Sequence, residues 1–259
     1  MLIDTHVHLD AREFDRERDA VMQRARSAGV RAFVLPAVEP ANFAAVDELA
    51  LRNADVKPAF GIHPMYVDGV ADDALDAVRA RLERGGAVAV GEIGLDHYVE
   101  GLNREHMELF YTRQLEFACE FELPVLLHVR RAQDAILKQL RRYRPRGGGI
   151  AHAFNGSFQQ AEAFIGLGFK LGFGGAMTYE GSKRIRELAA KLPLDAIVLE
   201  TDGPDIPPVW RPQGPSLPEE LTRYAAVIAE LRGIDVESVI EATGANARAV
   251  LPGLDQIGV

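Results

Sequence analysis

Short, largely apolar runs alternate along the chain with longer segments in which apolar residues recur every three or four positions. Ala87–Ile93 shows the first pattern, which is typical of a strand covered on both faces. Gln133–Tyr143 shows the second pattern, which is typical of an amphipathic helix. The alternation predicts eight strands, at Leu2–His8, Arg31–Ala37, Val56–Ile62, Ala87–Ile93, Val125–Val129, Gly149–Ala153, Lys170–Phe173 and Ala196–Thr201. It predicts seven intervening helices, at Phe14–Ala28, Ala41–Asn53, Asp72–Arg84, Arg104–Phe121, Gln133–Tyr143, Phe158–Leu167 and Ser182–Leu192.

Strands that alternate with helices form parallel units, and eight such units in 259 residues predict a (β/α)8 TIM barrel, one domain over residues 1–259. The alternative is an open doubly wound sheet, which normally carries a glycine-rich phosphate turn after its first strand. This chain has histidines and an acid there. Gly203–Pro218 contains six prolines, so it is expected to form an irregular loop over the barrel mouth. Two or three further helices are expected to brace the barrel from outside, at Glu219–Arg232, at Val236–Thr243 and as a short piece near Ala245–Leu251.

Composition narrows the class of protein. Hydrophobic residues make up 47% and charged residues 26%, which is typical of a globular protein with a sizeable core. A net charge of −9 argues against nucleic-acid binding by a broad basic surface, although an enzyme can still bind phosphate locally. The single cysteine, Cys119, is expected to be buried in a helix, which fits a reducing, cytoplasmic location. No apolar run is long enough for a membrane span, and no obligatory protein partner is indicated, so we expect a monomer.

The first candidate site residues are His6 and His8. Side chains two positions apart on a strand point to the same face, so both imidazoles would project together. Paired imidazoles suit zinc or another transition metal. The alternative is a surface strand that carries two solvated histidines.

Other metal-binding residue types lie at the ends of further strands. In a barrel all these strand ends meet at one face, where barrel active sites are found. This clustering favours a metal site, and the set is too large for one tetrahedral zinc but fits two metals bridged by a carboxylate. The residues concerned are His6, His8, His63, Glu92, His128, His152 and Asp202.

Six segments occur in a characteristic order over nearly the whole chain: Asp4–Asp10, Gly61–Pro64, Gly91–Asp96, Leu126–Arg130, His152–Ser157 and Leu199–Pro204. In these segments the chain resembles the TatD-type metal-dependent deoxyribonucleases of the amidohydrolase superfamily. One difference lies in the proline-rich loop, where the asparagine and glutamate that many members carry after an arginine are missing. This difference affects the predicted substrate loop and leaves the metal-site segments intact.

The resemblance implies two divalent metal ions per chain, which could be zinc, magnesium or manganese. His6, His8 and Asp202 would hold the first, and His128 and His152 the second. Glu92 would bridge them. A water between the ions would act as the nucleophile, with Asp202 orienting or deprotonating it.

The implied substrate is the end of a single DNA strand, cut as a 3′-to-5′ exonuclease would cut it. The alternative within enzymes is a related barrel hydrolase that acts on an ester, a lactone or an amide, such as an aminoacyl-RNA. The same activated water attacks carbonyl and phosphoryl centres, so the ligand set does not discriminate between them. An alternative of another class is a non-catalytic scaffold that has kept its metals.

Four residues are candidates for substrate contact, each with a structural alternative. His63 is expected to contact the scissile phosphate, or else to hydrogen-bond loop backbone before Pro64. Arg130 follows His128 by two positions and could reach a phosphate, or else form a salt bridge or stay solvated. In the proline-rich loop, Trp210 beside Arg211 could stack a base or could anchor the loop.

Several nearby residues are expected to serve other roles. Asp4 and Asp96 are expected to orient histidine ligands. His97 and His106 are not expected to be ligands. The basic run 141–146 should lie at the face of the barrel opposite the site.

Overall fold

A computed structural model describes residues 1–256 of the chain. Its eight strands form one parallel sheet in chain order, β1 to β8, and this sheet curves into a nearly closed TIM barrel as predicted. The strands are β1 Leu2–Asp4, β2 Val30–Pro36, β3 Val56–Phe60, β4 Ala89–Asp96, β5 Val125–Arg130, β6 Gly149–Ala151, β7 Phe169–Phe173 and β8 Ile197–Leu199.

Helices cover the outside of the sheet. They are α1 Arg18–Ser27, α2 Phe43–Arg52, α3 Ala74–Glu83, α4 Arg104–Glu120, α5 Gln133–Tyr143, α6 Phe158–Gly166, α7 Lys183–Lys191, α8 Leu221–Arg232 and α9 Val236–Val250. Within residues 1–256, no helix combines the length and apolar character that a membrane crossing requires.

Two predicted boundaries were wrong at the start of the chain. β1 ends at Asp4 instead of His8, because residues 5–8 keep only one backbone hydrogen bond to β2, from Val7 to Val34, and otherwise bond to the end of β8 and the segment after it. The Thr5 backbone N–H donates to the Leu199 carbonyl oxygen at 3.1 Å, and the His8 N–H donates to the Gly203 carbonyl oxygen at 2.8 Å. The first helix begins at Arg18 instead of Phe14, after a 3-10 turn.

Two further expectations fail for packing reasons. The predicted break before Ala245 does not exist, because α9 runs through Gly244, where the missing side chain lets the helix lie directly against the Met1 backbone. Asn246 on this helix donates to the Leu194 and Ile197 carbonyl oxygens, both at 2.8 Å, and so braces β8. Cys119 is exposed, because α4 turns Leu115 and Ala118 inward and leaves the next position outside.

The barrel interior is filled below the strand ends. One or two small or branched apolar side chains from each of seven strands pack into one cluster, as expected for the inward-facing layer of a TIM barrel. Leu251 and Leu254 from the C-terminal segment join this cluster. Its strand members are Ile3, Ala32, Val34, Ala59, Ala89, Leu126, Ile150 and Val198.

Candidate metal centre

Glu92 lies at the centre of the predicted ligand set. It is the fourth residue of β4 and is only 1% exposed. One oxygen, Oε2, is 3.0 Å from His6 Nε2 and 3.6 Å from His8 Nε2. The other, Oε1, is 2.9 Å from His152 Nε2 and 3.1 Å from His128 Nδ1. His63 Nε2 also lies 3.3 Å from Oε1. The two oxygens therefore face different imidazoles, two on the Oε2 side and three on the Oε1 side.

Asp202 joins the first pair. Its Oδ1 is 3.7 Å from both His6 Nε2 and His8 Nε2. Its backbone N–H donates to the His6 carbonyl oxygen at 2.8 Å, so the barrel seam itself holds the carboxylate beside these imidazoles. Asp202 adopts a left-handed backbone conformation with φ 53°, which few non-glycine residues adopt outside turns and functional sites.

The donor set fits divalent metal ions. Three groups of three residues could each hold a metal ion. Within each group the imidazole nitrogens and carboxylate oxygens lie within 4.8 Å of one another, and most of these residues are buried. Mixed nitrogen and oxygen donors of this kind are typical of zinc and neighbouring transition ions. The groups are His6 with His152 and Asp202, His6 with His8 and Glu92, and His63 with Glu92 and His128. The structure thus brings together all six predicted metal ligands.

Asp96 fixes the orientation of His128. Its Oδ2 is 3.1 Å from His128 Nε2, and its Oδ1 accepts the backbone N–H groups of Tyr98 and Val99 at 2.7 and 3.0 Å. Burial alone would raise the pKa of Asp96, but these hydrogen bonds hold it well below its usual range. An ionised carboxylate can only accept, so His128 donates its Nε2 proton to Asp96, and Nδ1, 3.1 Å from Glu92 Oε1, is the nitrogen that could bind a metal ion.

The ring of His63 is oriented by a backbone donor, whereas the ring of His128 is oriented by an acceptor. Its Nδ1 accepts the Met65 backbone N–H at 3.2 Å, so the neutral ring carries its proton on Nε2. Burial lowers the pKa of His63 to about 4, which keeps the ring neutral at neutral pH. Its Nε2 lies 2.9 Å from His128 Nδ1 and 3.3 Å from Glu92 Oε1. His63 therefore presents a hydrogen-bond donor to His128 and Glu92.

Glu200 is a buried member of the site that the sequence prediction missed. It is 1% exposed, accepts the Ala153 backbone N–H and places Oε1 3.9 Å from His152 Nδ1. Burial raises its pKa to about 8. Gly172 makes room for it, because a methyl group there would overlap the carboxylate. The available signal was an acid two positions before Asp202, since this spacing places both side chains on one face of an extended segment.

The carboxylate of Asp4 accepts hydrogen bonds from Thr201 and from backbone N–H groups rather than from an imidazole. Its carboxylate accepts the Thr201 hydroxyl at 2.6 Å, the Thr201 backbone N–H at 3.0 Å and, more weakly, the His6 backbone N–H at 3.4 Å. Asp4 therefore ties the start of the chain to the segment that carries Asp202. The expectation that it orients a histidine ring was wrong, whereas the corresponding expectation for Asp96 agrees with its geometry.

The candidate substrate residues differ in their surroundings. Arg130 lies beside the centre, with Nη1 4.0 Å from Asp96 Oδ2. Trp210 donates its indole N–H to Glu220 at 2.8 Å, and Arg211 lies 3.5 Å from the same carboxylate. These contacts fit the anchoring alternative for Trp210, and substrate contact by Trp210 and Arg211 stays a prediction.

The other two histidines lie outside the described metal-binding groups. His106 Nε2 is 3.0 Å from Asp72 Oδ1. His97 is half-buried in the loop after β4.

Comparison with known proteins agrees with this centre. A family model described as TatD related DNase matches residues 3–252. YjjV of Escherichia coli K12, named an uncharacterized metal-dependent hydrolase, is 40% identical over 242 residues, covering 93% of each chain. The 3′-5′ ssDNA/RNA exonuclease TatD of Erwinia billingiae is 31% identical over 258 residues, covering 95% of this chain and 97% of that one. The crystal structure of YjjV has a TM-score of 0.94 at 38% identity, covering 97% of this chain and 98% of that chain. The chain therefore belongs to the TatD-related DNase family and is a metal-dependent hydrolase.

Proposed function

We propose that the protein is a two-metal phosphodiesterase that acts on DNA and removes nucleotides from the 3′ end of a single strand. The observation that carries this proposal is the Glu92 carboxylate, whose two oxygens face separate sets of imidazoles. The name of the Erwinia relative, a 3′-5′ ssDNA/RNA exonuclease, supports nucleic acid as the substrate class.

These contacts support the ligand set that the family resemblance implies. His6, His8 and Asp202 would hold one divalent ion, His128 and His152 the other, and Glu92 would bridge them. The candidates are zinc, magnesium and manganese. When bound, such ions supply an acidified water and polarise the phosphoryl oxygens.

The side chains around this centre have distinct proposed tasks. Asp202 accepts a proton from the attacking water, because its carboxylate borders the first imidazole pair and is buried. In the metal-free protein, burial raises the pKa of Asp202. His63 donates its Nε2 proton in a hydrogen bond to a phosphoryl oxygen and so stabilises the charge that develops there.

The test combines metal analysis with cleavage. The metal content per chain is measured, and 5′-labelled single-stranded DNA is incubated with wild type and with Asp202→Asn in Mg²⁺, Mn²⁺ or Zn²⁺. We expect two bound ions per chain, stepwise shortening from the 3′ end and at least a hundredfold loss in the variant, typical of removing a general base.

Two other outcomes would contradict the proposal. Bound metal with turnover of carboxyl esters but not of DNA would move the substrate to the carbonyl class. Equal DNA cleavage by wild type and Asp202→Asn would remove Asp202 from the chemistry.

A further inference from the structure

An exposed pair of arginines packs against one aromatic ring beside the metal centre. The guanidinium carbons of Arg130 and Arg131 lie 3.9 and 4.6 Å from the ring centroid of Tyr98, which is within cation–π distance. Tyr98 is 47% exposed. The left-handed backbone of Arg131, with φ 53°, turns the chain after β5, and both consecutive side chains reach the same ring although strand geometry would point them apart. We call these three residues the Tyr98 cluster.

The cluster is attached to the metal centre through Asp96. One oxygen of this carboxylate accepts the Tyr98 backbone N–H at 2.7 Å. The other oxygen lies 3.1 Å from His128 Nε2 and 4.0 Å from Arg130 Nη1. A single buried carboxylate thus positions both a proposed metal ligand and the cationic cluster. The cluster therefore lies within the reach of a strand whose scissile bond is at the metals.

The positive charge of the cluster is largely free. Arg130 has one carboxylate within 4.0 Å, that of Asp96, whose charge is already shared with His128. Arg131 makes no ion pair or hydrogen bond through its side chain with any of residues 1–256. A guanidinium pair beside the metal centre, on a chain of net charge −9, would attract an anion to this side of the centre.

The side of the mouth around Tyr66 has the opposite charge. The pKa of Tyr66 is raised, first by burial and then by nearby carboxylates, chiefly those of Glu39, Asp10 and Asp205. These acids follow β1, β2 and β8, whereas the arginines lie at the end of β5, Arg130 as its last residue and Arg131 directly after it. A polyanion at the metals would be repelled on the first side and attracted on the second.

We propose that Arg130 and Arg131 bind the phosphate next to the scissile one, and that Tyr98 holds both guanidinium groups in position. The planar guanidinium fork matches phosphate oxygens, and stacking on a ring reduces the side-chain freedom that binding would otherwise cost. This inference rests on the proposed phosphodiesterase function. It adds a preference for substrates with at least two neighbouring phosphates.

The experiment compares two substrates in the divalent ion that supports cleavage. Thymidine 5′-(p-nitrophenyl phosphate) carries only a scissile phosphodiester, whereas tetrathymidylate also carries neighbouring phosphates. The variant is Arg130→Gln/Arg131→Gln. The matched control is Arg141→Gln/Arg142→Gln, an exposed pair at the other end of α5 that changes the net charge equally.

The quantity measured is the ratio of kcat/KM for tetrathymidylate to kcat/KM for the small substrate. A variant with less folded or metal-loaded protein would lose the same fraction of both kcat/KM values, so this ratio would not change. We expect it to fall about tenfold in the variant, as for the loss of charge-assisted hydrogen bonds, and to match wild type in the control. The salt dependence of KM for tetrathymidylate should also flatten, by a slope of about 0.7 per lost phosphate contact.

Tyr98 provides an independent check. Tyr98→Phe keeps the ring and should keep the ratio, whereas Tyr98→Leu should lower it severalfold. An unchanged ratio in the double arginine variant would overturn the inference while leaving the proposed function intact. A wild-type protein that cleaves neither phosphodiester would instead remove the proposed function itself.

Discussion

Replacing Asp96 with asparagine should reverse the tautomer of His128 without displacing its ring. Two backbone N–H groups donate to Asp96 Oδ1, so only the carbonyl oxygen of an asparagine can occupy that position. The amide NH2 group then falls at the position of Oδ2, 3.1 Å from His128 Nε2. Because an amide NH2 donates, Nε2 must accept, and the ring proton moves to Nδ1. The lone pair that faces Glu92 is lost.

The size of the effect follows from the bond that is lost. A hydrogen bond to a charged group contributes about 1.5–3 kcal/mol, and about 1.4 kcal/mol corresponds to a factor of ten in affinity. Restoring the metal-binding tautomer in the variant costs this energy. Binding of the second divalent ion should therefore weaken by about 10- to 100-fold, the range typical of residues that orient metal ligands.

Competition with a chromogenic zinc chelator measures this affinity, and ¹⁵N NMR of the imidazole nitrogens identifies the tautomer. The control is Asp72→Asn, because Asp72 Oδ1 forms a similar contact with His106 Nε2 at 3.0 Å on the protein surface. A zinc affinity within twofold of wild type in Asp96→Asn would refute the reasoning. So would an NMR spectrum that still shows the His128 proton on Nε2.

Three further predictions concern stability. Gly172→Ala should lower the free energy of unfolding by about 1–3 kcal/mol, because the added methyl overlaps the Glu200 carboxylate; urea titration measures this. Thr201→Val should cost about 1–3 kcal/mol, seen as a lower Tm, because one buried oxygen of Asp4 loses its hydroxyl donor. In metal-free protein, His63 has its pKa lowered from 6.5 to about 4, so the unfolded chain binds more protons between these values. Stability should therefore fall as pH drops through this window, and His63→Gln should fall less steeply; parallel pH curves would contradict this.

The fold could be predicted because its signals are local and repeat. Each buried strand is a short apolar run and each helix has an amphipathic stripe, so the order of elements can be read without knowing any tertiary contact. The ligand positions could be predicted for a related reason. A parallel barrel brings its strand ends to one face, and His128 and His152 needed only this rule to be placed together.

Several failures depend on contacts between distant parts of the chain. β1 was expected to reach His8, but hydrogen bonds from residues 5–8 to the segment after β8 shorten it. The predicted role of Asp4 was wrong, and Glu200 was missed. The role of a buried carboxylate depends on its hydrogen-bond partners, and for both residues these partners are far away in sequence. The proton position on His63 depends on the folded turn that brings the Met65 backbone N–H to its Nδ1, and residue types alone do not show this turn.

The seam between β1 and the segment after β8 also determines when the site can exist. Thr5 and Leu199, which bond across this seam, are 194 positions apart, whereas His128 and His152 are separated by only 24. A ribosome makes the second imidazole pair midway through synthesis, but Asp202 joins His6 and His8 only after most of the chain has been made. The first proposed ligand set is therefore complete only when the two ends of the barrel have come together.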